Sequence, residues 1–192
     1  MKLLSAVSET AIITLKSRVL EAEKSNPVIK DDIGRKCLEN LRARLPIDTR
    51  RRILDRKLPS SLTIYAALRA RKYDTYARAF IEENPAGLVV SLGCGFDTRY
   101  WRVSGQAWNY VEIDLPDVIA AKEEVLGDMI TYPMIGCSVL AESWVEEIQA
   151  LQHEPILFLA EGLLMYLPKA AVIRLFNTLA ERFTNASIVF EV

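Results

Sequence analysis

Three short stretches place residues able to do chemistry directly after apolar runs. The first is Val89-Val90-Ser91-Leu92-Gly93-Cys94-Gly95-Phe96-Asp97-Thr98-Arg99. A Gly-x-Gly after a strand lets the backbone turn tightly and approach a ligand with no side chain in the way, although a purely structural tight turn accounts for it as well. The second is Val111-Glu112-Ile113-Asp114-Leu115-Pro116, with Asp114 21 residues after Gly93. At that offset a carboxylate can accept hydrogen bonds from the hydroxyls of a ribose; the alternative is an Asp that caps the following helix. The third is Leu159-Ala160-Glu161-Gly162-Leu163-Leu164-Met165-Tyr166-Leu167-Pro168. A carboxylate ending an apolar strand is costly to bury alone. A cationic ligand group such as an α-ammonium would answer it, and so would an Arg or Lys from elsewhere in the chain. Taken together, the first two stretches favour a ligand that contains adenosine.

Two adenosine cofactors fit differently. A nicotinamide dinucleotide calls for Gly-x-Gly-x-x-Gly, with its pyrophosphate on a helix N-terminus. Here Thr98 stands in place of the third Gly and Asp97 adds a negative charge beside the loop. S-adenosylmethionine has no phosphate, so neither residue opposes it, while its carboxylate asks for an Arg. The chain has a single histidine, His153, in a Gln-His-Glu-Pro turn. That excludes a zinc site built on several His and leaves a Ser-His-Asp hydrolase only this loop residue. Cys37, Cys94 and Cys137 form no Cys-x-x-Cys pair and are odd in number, as expected of reduced thiols in the cytoplasm.

The elements that must hold these residues fall into two textures. In residues 1–85 apolar positions recur at three- and four-residue steps (Leu4, Val7, Ala11, Leu15 and Val19 first), predicting helices up to Asn26-Pro27, over 33–45, from about 48, and from Pro59 to Asn84-Pro85. Arg50, Arg51, Arg52, Arg56 and Lys57 lack interleaved aromatics and read as a solvated helix face, not a nucleic-acid patch. In residues 86–192 short apolar runs at 87–92, 109–113, 132–137, 155–160 and 186–192 alternate with helical stretches at 115–126, 142–151 and 169–183. This predicts an α/β fold, a doubly wound, mostly parallel sheet behind an N-terminal helical segment, with ligands at the carboxyl ends of the strands. With 24 Lys+Arg against 25 Asp+Glu, nothing attracts the chain as a whole to nucleic acid or to an anionic membrane. No run reaches the length of a membrane span, and Ser8, Glu9, Lys16 and Arg18 break any signal-like start.

The stretches Leu92 to Arg102, Val111 to Pro116 and Glu161 to Leu167, in this order, resemble the leucine carboxyl methyltransferase family, and within it the tetracenomycin-type polyketide O-methyltransferases. Ser8-Glu9-Thr10-Ala11 and Arg69-Ala70-Arg71-Lys72-Tyr73-Asp74 are similar to that branch as well. The resemblance implies a class I, Rossmann-like S-adenosylmethionine-dependent methyltransferase, with residues 1–85 as a helical lid and 86–192 as the cofactor-binding core. It puts Gly93 and Gly95 under the cofactor, Asp114 on the ribose and Glu161 at the methionine amino end. Arg71 is implied for the methionine carboxylate, with Arg69 as the alternative one Arg-x-Arg repeat earlier. A cation from the first helix falls near Lys16 to Arg18 and is carried to Arg18. Relatives have Asp-Leu after the third strand to hold the adenine; Ser138 and Val139 stand there, the hydroxyl replacing a carboxylate.

By the same resemblance the methyl acceptor is a carboxylate or hydroxyl of a small molecule, with Tyr166 a candidate to orient it. A carboxylate acceptor is already ionised at neutral pH and needs no base. Family members continue past residues 188–192, so the last strands are expected to be missing and the edge at Val192 to be open to a second copy in a homodimer. The rival readings are a truncated, non-catalytic cofactor-binding remnant and an NAD(P)-binding oxidoreductase.

Overall fold

The computed structural model describes residues 6–103 and 108–191. Leu4 of the first helical pattern and Val192 of the last apolar run lie outside them. Five strands form one all-parallel sheet in the order β3-β2-β1-β4-β5: β1 (Leu88–Leu92), β2 (Asn109–Asp114), β3 (Met134–Gly136), β4 (Ile156–Ala160) and β5 (Ala186–Phe190). Val90 is level with Val111 on one side and with Phe158 on the other, so the tips of β1, β2 and β4 share one edge. All five residues of β1 and of β4 are buried, the mark of strands covered on both faces. The doubly wound fold class expected from the alternation is the one observed, with the strand order reversing at β1.

The two faces are filled by alternate residues of the same strands. Leu88, Val90 and Leu92 join Val111, Ile113, Ile156 and Phe158 against α7 (Ser143–Ala150) and α8 (Lys169–Arg182), where Trp144 is fully buried. Val89, Tyr110, Leu157 and Leu159 face the other way, toward Tyr73 and Ala77 of α4 (Ser60–Glu83) and Val103 of α5 (Arg99–Val103). α6 (Pro116–Leu126) covers β2 and β3.

The N-terminal helices are packed against this core. Ile12, Leu15 and Val19 of α1 (Ala6–Ala22) and Cys37 and Leu41 of α2 (Asp32–Arg44) share one apolar cluster with Phe96 of the β1 loop and with Ala121, Val125 and Leu126 of α6. Between α2 and α4 the expected third helix is a single turn, α3 (Ile47–Thr49), running into a π-helical stretch over Arg50–Leu54. Only Ile53 and Leu54 of that stretch are buried, and Arg51, Arg52, Arg56 and Lys57 face solvent. With two apolar anchors and no continuing stripe, a longer helix has nothing to pack. Among the described residues no helix is long and apolar enough to cross a membrane.

Candidate functional site

A cavity of about 270 Å³ opens at the carboxyl ends of β1, β2 and β4, beneath α1 and α4. Its floor is the loop after β1. Gly93 and Gly95 take φ of +66° and +51°, a region L side chains rarely adopt. A Cβ on Gly93 would come within 2.8 Å of Leu163 Cδ1, and one on Gly95 within 3.0 Å of the Ala11 methyl of α1. The glycines therefore serve twice, making the turn and admitting α1 directly above it. Asp114 ends β2 in the same wall. Its Oδ2 accepts from the Gly95 amide at 2.6 Å and its Oδ1 from the Leu115 amide at 2.7 Å. Asp114 faces the cavity and fixes the turn after β2, and it does not cap α6, whose N-cap is Leu115 without a side-chain cap bond. Burial raises its pKa, against the pull of those two amides.

The opposite wall is ionic. Glu161, one residue past β4, takes Arg69 Nε of α4 on Oε1 at 3.0 Å and Arg99 Nη2 of α5 on Oε2. Gly162 lets the arginine lie close, because a Cβ there would meet Arg69 Nη2 at 3.1 Å. Arg99 is fully buried and also pairs with Asp74 at 3.0 Å and Asp97 at 2.6 Å. Arg102 reaches Asp74 and Asp97, each at 2.8 Å, and donates to the Thr98 hydroxyl. Burial would push the Asp97 carboxyl up, but Arg102, Arg99 and Arg18 hold it well below the carboxylate range. The charge that Asp97 adds to the loop is thus neutralised by neighbours. Arg18 ties α1 into the network: it donates to Asp31 at 3.1 Å and to the Phe96 carbonyl at 2.9 Å. Beneath the loop, buried Lys122 of α6 donates to the Asp97 carbonyl and to Glu112 Oε2, both at 2.6 Å, and Tyr110 and Tyr132 donate to the same carboxylate.

Gly93, Gly95, Asp114, Glu161, Arg18 and Tyr166 all line the cavity. Arg71 does not, and here the structure corrects the expected position. Two residues along a helix turn it by about 200°, so Arg69 and Arg71 point to nearly opposite sides. Arg69 lines the cavity, whereas Arg71 is exposed and reaches the Val28 carbonyl at 3.5 Å. Ser138 and Val139 also lie outside the cavity wall. The Ser138 hydroxyl accepts from the Leu140 amide at 3.2 Å, and buried Val139 gives its carbonyl to the Trp144 indole at 3.1 Å. Lys16 is turned away too, bonded to the carbonyls of Ile53 and Arg56. His153 sits at the foot of β4, its ring nitrogen 3.1 Å from the Ala86 carbonyl. Sequence reasoning missed Arg99, Arg102, Asp74 and Asp31. Arg99, Arg102 and Asp74 stand in the quoted stretches and Asp31 outside them, and spacing does not distinguish a buried charge from a solvated one.

The model of the leucine carboxyl methyltransferase family matches residues 11–180. The chain is similar to the tetracenomycin polyketide synthesis O-methyltransferase TcmP of Streptomyces glaucescens, 30% identical over 189 residues that make up 98% of this chain and 66% of the relative. It is also similar to the S-adenosyl-L-methionine-dependent methyltransferase dpfgK of Gibberella zeae, at 28% identity over 98% of this chain and 65% of that one. It thus spans just under two thirds of the length of these curated relatives. With the matched segment running from within α1 to within α8 and taking in all but Thr10 of the cavity lining, the chain belongs to the leucine carboxyl methyltransferase family.

Proposed function

We propose that the protein is an S-adenosylmethionine-dependent methyltransferase that methylates an oxygen, carboxylate or hydroxyl, of an apolar small molecule. The observation that carries this reading is the polarity of one cavity. Asp114 and a side-chain-free glycine turn stand on one side of it, and the Arg69–Glu161 pair on the other. A ribose suits the first, and the second has a cation for a carboxylate and a carboxylate for an ammonium, so the residues fit this cofactor.

When bound, the cofactor supplies a methyl group on a positively charged sulfur. Everything else is positioning by this chain. Gly93 and Gly95 present backbone in place of side chains, and Asp114 retains acceptor capacity beyond its two amide bonds. Leu62, Tyr65, Met165 and Tyr166 line the cavity and are themselves partly solvent-exposed, which makes its mouth apolar. Such a mouth excludes water and takes an apolar acceptor, with the Tyr166 hydroxyl available to orient an oxygen. An acceptor carboxylate arrives ionised, consistent with a wall that offers no histidine. A cytoplasmic setting suits the free thiols Cys37, Cys94 and Cys137.

Calorimetric titration with S-adenosylhomocysteine tests the reading. Binding near one per chain, weakened at least roughly tenfold in Asp114→Ala and absent with NADH, is the expected result. A folded protein that ignores S-adenosylhomocysteine, or prefers NADH, would refute it.

A further inference from the structure

Arg69 is crowded with partners. Its Nε serves Glu161 at 3.0 Å, its Nη1 stands 3.0 Å from Oε1 of Glu191, just past β5, and its guanidinium lies 5.6 Å from the centre of the Tyr65 ring. A carboxylate reaching for Nη1 would contend with Glu191 there, while Nε is already given to Glu161. Glu161 is the firmer, because Arg99 holds its other oxygen. Glu191 is the weaker. The contact to Arg69 is its one ion pair among the described residues, and its buried Oε1 makes no aligned hydrogen bond. It also sits close to Glu161, and burial together with that like charge raises its pKa against the pull of Arg69 and the Gly162 amide. The Glu191 side chain is 20% exposed, against 11% for Glu161.

We propose that Glu191 is an internal competitor for Arg69: it and the carboxylate of the cofactor contend for the same guanidinium. Glu191 thereby sets how tightly the cofactor is held, and occupancy of the cavity is relayed to the end of β5. The inference rests on the cofactor reading above.

The test compares S-adenosylhomocysteine with 5′-methylthioadenosine, which has the nucleoside and sulfur but no carboxylate or amine. Calorimetry on the wild type, Glu191→Gln and Glu191→Ala is expected to show S-adenosylhomocysteine binding about two- to tenfold more tightly to both variants, the scale of one partly exposed ion pair. Affinity for 5′-methylthioadenosine should stay within about twofold, because the competition needs a carboxylate. Unchanged or weaker S-adenosylhomocysteine binding would mean that Glu191 does not compete, or that it props Arg69, and would overturn the inference. An equal gain for both ligands would overturn it as well, by showing a general loosening. If neither ligand binds folded wild-type protein, the cofactor reading itself falls, and the inference with it.

Discussion

Lys122 is fully buried and satisfies its ammonium with the Glu112 carboxylate and the Asp97 carbonyl. Lys122→Met would leave Glu112 charged, buried and without its cation, at a cost of roughly 3–5 kcal/mol. Pairing it with Glu112→Gln should return a large part of that loss, which urea unfolding midpoints of the single and double variants would measure. Arg69 and Arg71 make a second test at this scale. Arg69→Met should weaken S-adenosylhomocysteine binding by about tenfold or more, by loss of a charge-assisted contact, while Arg71→Met leaves it within about twofold. An Arg71 variant with the larger effect would contradict the placement of the two side chains. Gly93, Gly95 and Asp114 were legible because their spacing after two apolar runs is itself the chemistry. The choice between Arg69 and Arg71 was not, since it depends on the rotation of α4 against the sheet. Ser138 and Val139 rest on the resemblance alone, and the turn after β3 directs their bonds elsewhere.

Asp31 shows how an element is fastened by a single carboxylate. It caps α2 by accepting from the Gly34 amide at 2.9 Å, and it also pairs with Arg18 of α1 and takes the Thr98 hydroxyl. Burial would raise its pKa, but Arg18, Arg102 and the hydroxyl bring it below the ordinary 3.8. Asp97 is depressed further by the same arginines. A folded pKa below the unfolded one means that the stability these groups contribute is complete above about pH 4 and is lost as pH falls through the folded values. Thermal unfolding should therefore show no loss from these two groups between pH 7 and 5 and a steep one below 3.8. In Asp31→Asn the plateau should be lower and the acid limb shallower. Most elements were visible beforehand, because strands buried on both faces write themselves as short unbroken apolar runs. The exception is the short α5, whose five residues are too few for any period to emerge.

At the scale of the molecule, the helical layer and the sheet share one core, through the cluster that joins α1 and α2 to α6 and Phe96. Leu15, fully buried in it, should cost about 2–5 kcal/mol on truncation to Ala. The loss should appear as one transition, the fluorescence of Trp144 on the far side of the sheet, read in a Trp101→Phe and Trp108→Phe background, moving together with the far-ultraviolet helix signal. Two separated transitions would mean that the layers melt independently.

The charged seam between those layers bears on how such proteins can be recombined. Arg18, Asp31, Arg69 and Asp74 come from the helical side, and Asp97, Arg99, Arg102, Glu161 and Glu191 from the sheet side; Arg69 pairs across the seam with Glu161 and Glu191, and Asp74 with Arg99 and Arg102, so parting the halves strips these charges of their partners. A helical layer grafted from a relative would fold onto this sheet only with its half of the seam intact. The practical boundary for building chimeras is therefore drawn by ion pairs and not by where the helices stop.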